Sequence, residues 1–196
     1  MSWSGHALVL VDLQNDFWSP QVSTTSPDLP DRVAQLLAVA RAEGLPVVHL
    51  RAQFRADGSN WMARYRLRGS IPCIEGTRGA DTLPFAVERP GEVVVTKQTF
   101  DGFLCTGLDD MLRARGIRSL LIAGLVTSTC VLFTAATAAQ LGYLVTVVDD
   151  CCSDWLAAHE ATLASYRFVF DVVQSLDLAR RRPAMNAVLE RMDRVR

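Results

Sequence analysis

Short runs rich in Val, Leu and Ile recur along the chain, and between them apolar residues return at helical spacing. The runs at 7–11, 46–50, 92–96, 119–123, 144–148 and 168–173 predict six strands. Helices are predicted over 31–43, closed by Gly44, over 108–115, ended by Gly116, from about 128 to 141, over 155–166, and in the tail after Pro183. The strand runs are apolar on both faces, a pattern that suits a sheet covered on both sides. Strands alternating with helices make that sheet parallel. The pattern therefore predicts an α/β chain, a three-layer α/β/α fold around a parallel, Rossmann-like six-stranded sheet.

One segment breaks the rhythm. Residues 52–91 separate the second and third strands with little periodicity, and so long a stretch inside a compact domain reads as a lid or pocket-wall insertion. The whole chain, 1–196, otherwise reads as a single domain with a substantial core. The insertion carries Arg55, Arg64, Arg66, Arg68 and Arg78, with Trp61 and Tyr65 interleaved. Most of those arginines read as solvated. One of them, or Arg51 just before, is the candidate for meeting a substrate carboxylate.

Composition narrows the classes. With 49% apolar and 21% charged residues the profile is globular. A net charge of −1 offers no electrostatic footprint for nucleic acid or an anionic membrane. Residues 119–148 contain no charge and are long enough to span a bilayer. Gly124, Thr127, Ser128, Thr129 and Gly142 punctuate them, however, as strand, turn, helix, turn and strand. The apolar run at 7–11 is too short for a signal peptide and ends in Asp12. Five cysteines without CxxC spacing then read as free thiols in a reducing, cytoplasmic compartment. His6, His49 and His159 share no ligand spacing, and Cys151 and Cys152 read as packing near a strand end. No metal or other cofactor is expected.

The chemistry lies at strand ends. In open parallel sheets ligands bind where the carboxyl ends of the strands and their loops converge. The first strand ends at Asp12 in LVLVDLQNDF, the third at Lys97 in VVVTKQTFDGF, and the fourth feeds a hydroxyl-rich turn that delivers Cys130 in GLVTSTCVLF. A thiol at a helix N-terminus faces unpaired N–H groups and the positive end of the macrodipole, which favour its thiolate. A carboxylate in reach takes the thiol proton and returns it to a leaving nitrogen. A lysine beside them steadies the anions, and two backbone N–H groups of the turn can cradle a tetrahedral oxyanion. No G-x-S-x-G, P-loop or G-x-G-x-x-G occurs to support a serine hydrolase or nucleotide site.

These motifs, with LLIAGLVTSTCVLFTAATAAQLGYLVTVVDDCCSD and the helix containing His159, resemble the isochorismatase-like cysteine hydrolase superfamily from about residue 7 to 173. That superfamily includes nicotinamidases and N-carbamoylsarcosine amidohydrolase. The resemblance implies an isochorismatase-like hydrolase fold and a triad of Asp12, Lys97 and Cys130. It also implies a cis peptide at Leu125–Val126, aiming the Val126 and Cys130 amides into an oxyanion hole. Nicotinamidases usually place an Asp-x-His and a second His after the second strand to bind a metal. Here that stretch reads HLRAQFRADGSNW, so metal is not required. Isochorismatases proper generally lack the cysteine, so Cys130 points to a small amide or ureido C–N bond hydrolysed through a thioester. The alternatives are non-covalent, Asp12-driven hydrolysis of an isochorismate-like vinyl ether, or a silent binding protein on the same fold. Among the flanking aromatics Phe17 and Phe133 read as core. Trp18 and Phe103 lead as substrate contacts, with Arg51, Trp61 and Trp155 behind them. The uncharged helix after Cys130 predicts a homo-oligomer, a dimer or tetramer.

Overall fold

A computed structural model describes residues 2–155 and 157–194. Six strands form one all-parallel sheet: β1 (His6–Val11), β2 (Val47–Ala52), β3 (Val93–Lys97), β4 (Ser119–Leu125), β5 (Leu144–Ser153) and β6 (Asp171–Val173). Their order is β3-β2-β1-β4-β5-β6. The central strands β1 and β4 are buried at every position, as strands sandwiched between helices must be. The helices are α1 (Pro20–Thr25), α2 (Leu29–Ala42), α3 (Ala63–Arg68), α4 (Leu108–Ala114), α5 (Leu132–Gln140), α6 (Ala158–Ser165) and α7 (Leu178–Arg194). Among the described residues no helix is long and apolar enough to cross a membrane.

The strand order reverses between β1 and β4, and such a switch point opens a crevice at the carboxyl edge of the sheet. Register pairs Val11 with Gly124 there. Gly124 adopts φ 131°, and a Cβ on it would lie 2.0 Å from the Val11 carbonyl oxygen. Only glycine lets the two strand ends that feed the crevice approach so closely.

Several boundaries differ from the periodicity, each for a local reason. β5 continues past Val148 to Ser153 because its two carboxylates find partners. Asp149 meets His159 and Gln174, and Asp150 meets Ser175. The run at 168–173 is a strand only from Asp171; before that Tyr166 stacks on Phe168 and Phe170 in a turn. α6 begins at Ala158 rather than 155, because the Asp154 carboxylate accepts the Trp155 N–H and holds an extended loop. Leu156, inside the expected helix, lies outside the described residues. α7 starts at Leu178 and carries Pro183 internally, while Leu178 and Leu189 bury against the body. The helix expected from about 128 is split into a π-turn, Thr127–Val131, and α5.

The stretch 52–91 is more ordered than its lack of periodicity suggests. It contains α3 and two 3-10 turns, and Phe54, Ile71, Cys73 and Ala80 form a small apolar cluster with Ala52. Polar residues after β1 fasten it. Gln14 donates to the carbonyls of Ala52 and Ala80, Asn15 to that of Arg78, and the Asp16 carboxylate accepts the Cys73 N–H. The QND of LVLVDLQNDF thus fastens the insertion to the end of β1.

Candidate active site

Asp12, one residue beyond β1, adopts φ 49°, a conformation a non-glycine residue holds only where its surroundings enforce it. Two bonds do so. Its N–H donates to Leu50 O at 2.9 Å, and its Oδ1 accepts the Ala52 N–H at 3.0 Å. The other oxygen, Oδ2, lies 2.7 Å from Lys97 Nζ, and both side chains are buried. Lys97 ends β3 and also donates to the Thr99 carbonyl at 2.9 Å. The loop after it is clipped to α5: Asp101 accepts from Thr137, and Gly102 N–H donates to Thr134. The β3 loop and the Cys130 element therefore move as one piece.

Cys130 lies in the π-turn and is 5% exposed. It sits close enough to Asp12 and Lys97 for its ionisation to feel both charges. A wide π-turn inside a helix is a recurrent mark of functional sites, because it turns a side chain out of the regular ladder. The peptide between Leu125 and Val126 is cis, as the resemblance implies. Behind the turn, the Asp154 carboxylate accepts the Ser128 N–H, and the Thr127 hydroxyl contacts the Ser153 carbonyl and His159.

The electrostatics correct one expectation. Burial pushes the Cys130 thiol well above the ordinary range, and the Asp12 carboxylate adds to the rise, so Lys97 does not bring it down. The resting sulfur is a thiol, not the thiolate expected from a helix N-terminus. Burial also works against the Lys97 charge, but the Asp12 carboxylate beside it outweighs burial and holds the ammonium above its usual range. The resting site is thus an ion pair with a protonated sulfur beside it.

The structure brings together Asp12, Lys97 and Cys130, and gives the other candidates partners of their own. Phe103 is buried against Tyr143, just ahead of β5. Trp18 packs edge-on against Phe85. Trp61 packs on the apolar cluster of the insertion, and its indole donates to Arg55 O. Arg51 donates to Ala80 O at 2.9 Å and lies 3.5 Å from Glu88, so its charge serves the insertion. Trp155 is exposed in the loop after β5. Phe133, read as core, is 49% exposed, one turn after Cys130, and stacks on Phe100 at 5.9 Å. Phe100 in turn meets Tyr65 at 6.3 Å. Burial raises the Tyr65 hydroxyl. An isolated aromatic in a loop, such as Phe100, has no pattern to read in the sequence. Among the described residues no group of three His, Cys, Asp or Glu is placed to hold a metal ion.

A carboxylate, an ammonium and a thiol meeting at the switch point of a doubly wound parallel sheet define an α/β enzyme of the isochorismatase-like type. The chain belongs to the isochorismatase-domain family, whose model matches residues 6–177. It is similar to maleamate amidohydrolase of Pseudomonas putida, 32% identical over 80% of this chain and 76% of that one. Ureidoacrylate amidohydrolase RutB of Methylorubrum extorquens is also 32% identical, over 79% of this chain and 69% of that one. Among solved structures, an isochorismatase family protein from Desulfovibrio vulgaris superposes with a TM-score of 0.82 at 34% identity, covering 90% and 97% of the two chains.

Proposed function

We propose that this protein is a cofactor-free amidohydrolase that cleaves a small amide or ureido C–N bond through a thioester on Cys130. The observation that carries the reading is the buried Asp12–Lys97 pair at 2.7 Å with the Cys130 thiol buried within reach of both charges. Asp12 takes the thiol proton as sulfur attacks the carbonyl carbon, and Lys97 keeps the growing negative charge solvated in a dry site. The Val126 and Cys130 N–H groups receive the oxyanion. The proton passes from Asp12 to the leaving nitrogen as the C–N bond breaks, leaving a thioester. Water, deprotonated by Asp12, attacks that thioester, the C–S bond breaks, and the proton returns to sulfur. A thiol that stays protonated at rest suits this scheme, since the nucleophile forms only when substrate is present.

The relatives named for maleamate and ureidoacrylate support a short acyl compound. In this chain Phe133, one turn after Cys130, begins a run of aromatic contacts through Phe100 to Tyr65, and Arg51 is already engaged. The substrate is therefore an amide or ureido compound with a flat apolar part. The same reading makes the enzyme a homo-oligomer. β3 is an edge strand with Val94 43% exposed, and Leu104 in the loop after it is 55% exposed.

The test is turnover of an amide panel spanning maleamate, ureidoacrylate and neutral aryl amides by wild type and Cys130→Ala. We expect the variant to lose at least about a thousandfold in kcat, and the wild type to form a mass-detectable acyl adduct on Cys130. An Asp12-driven reaction would survive the substitution, and that result would reject the thioester.

A further inference from the structure

The turn that carries Cys130 is held from behind by a relay that the scheme above leaves unused. Thr127 Oγ1 lies 3.1 Å from the Ser153 carbonyl and 2.8 Å from His159 Nδ1. His159 Nε2 lies 2.8 Å from Asp149 Oδ1, and Gln174 donates to Asp149 Oδ2 at 2.6 Å. Thr127 is buried, and the His159 side chain is 15% exposed.

One ring nitrogen of His159 faces the Thr127 hydroxyl and the other the Asp149 carboxylate, so the imidazole bridges the turn to β5. With the ring removed, the Thr127 hydroxyl keeps only the Ser153 carbonyl as a partner.

We propose that His159 is a positioning residue for the nucleophile turn. Pinned by Asp149, which Gln174 holds in turn, the ring keeps the Thr127 hydroxyl against the end of β5 and so fixes the backbone from Val126 to Cys130. The Asp154 carboxylate holds the next residue of the same turn through the Ser128 N–H. The proposal rests on Cys130 as nucleophile.

The experiment measures amide turnover and the rate of Cys130 alkylation for wild type, His159→Asn and His159→Leu. His159→Leu should lower kcat about 100-fold with KM little changed, because the substrate still binds while the turn is no longer held. His159→Asn keeps a polar group facing Thr127, so it should restore most of the rate. A His159→Leu enzyme with the kcat of wild type overturns the proposal, and so does a folded His159→Asn enzyme that loses as much as about 100-fold, even where His159→Leu fails to fold. Turnover that survives Cys130→Ala would instead overturn the nucleophile reading.

Discussion

At the scale of single residues the site is governed by one buried ion pair. Lys97 and Asp12 are both shut off from water, so each is tolerable only because of the other. Removing one partner leaves the other charge uncompensated in a dry place. Lys97→Met should therefore cost about 3–5 kcal/mol of stability, read as a lower urea midpoint with an unchanged slope. Adding Asp12→Asn should recover most of that loss, because an amide keeps the shape and removes the charge. Neither variant should turn over substrate. If the double variant is no more stable than Lys97→Met, the pair is not what makes the lysine costly to lose. That Asp12, Lys97 and Cys130 meet was legible because each ends or follows an apolar run, where topology alone brings strand ends together. The state of the thiol was not legible. Sequence places Cys130 after a turn, but only packing tells that it is buried beside a carboxylate, and burial outweighs the favourable backbone field.

At the scale of elements, polar clasps decide how the strands and helices sit. Glu92, just ahead of β3, accepts from Arg41 of α2, from the Arg89 N–H and from His49 of β2. Burial opposes its ionisation, yet the Arg41, Arg89 and His49 contacts win and bring its carboxyl from an ordinary 4.5 to about 2. A carboxyl more acidic in the folded chain than in the unfolded one contributes stability that is complete above about 4.5 and fades as pH falls toward 2. Glu92→Gln should therefore be less stable than wild type at neutral pH, and the gap should close through that window. Urea melts at a series of pH values would show it, and a gap that stays constant would remove Glu92 from the acid response. No spacing rule announces such a clasp, since Arg41 and His49 lie 51 and 43 positions from Glu92 in sequence. Element boundaries were misread for a related reason. The strand signal stopped at Asp149 because a charge normally ends a buried run, whereas here tertiary partners carry β5 on to Ser153.

At the scale of the whole molecule the architecture was the most legible layer. Apolar runs alternating with helical spacing leave few topologies once crossovers must be right-handed. The insertion was the least legible. Its order comes from Gln14, Asn15 and Asp16 reaching across from β1, and periodicity carries no trace of such distant ties. Assembly follows from what the fold leaves uncovered. An edge strand with an exposed valine is an invitation to pair unless something covers it. Here Val94 lies on β3, and Leu104 lies in the loop that Asp101 and Gly102 clip onto α5. Covering that side with a second copy would also hold still the loop that carries Lys97, so assembly and activity should be coupled. Sedimentation velocity should show a dimer or tetramer for wild type. Val94→Lys with Leu104→Glu should shift it toward monomer, with a fall in kcat that rises again at higher protein concentration. A wild type that sediments as a monomer while fully active would leave the Lys97 loop held by its own contacts with α5 alone.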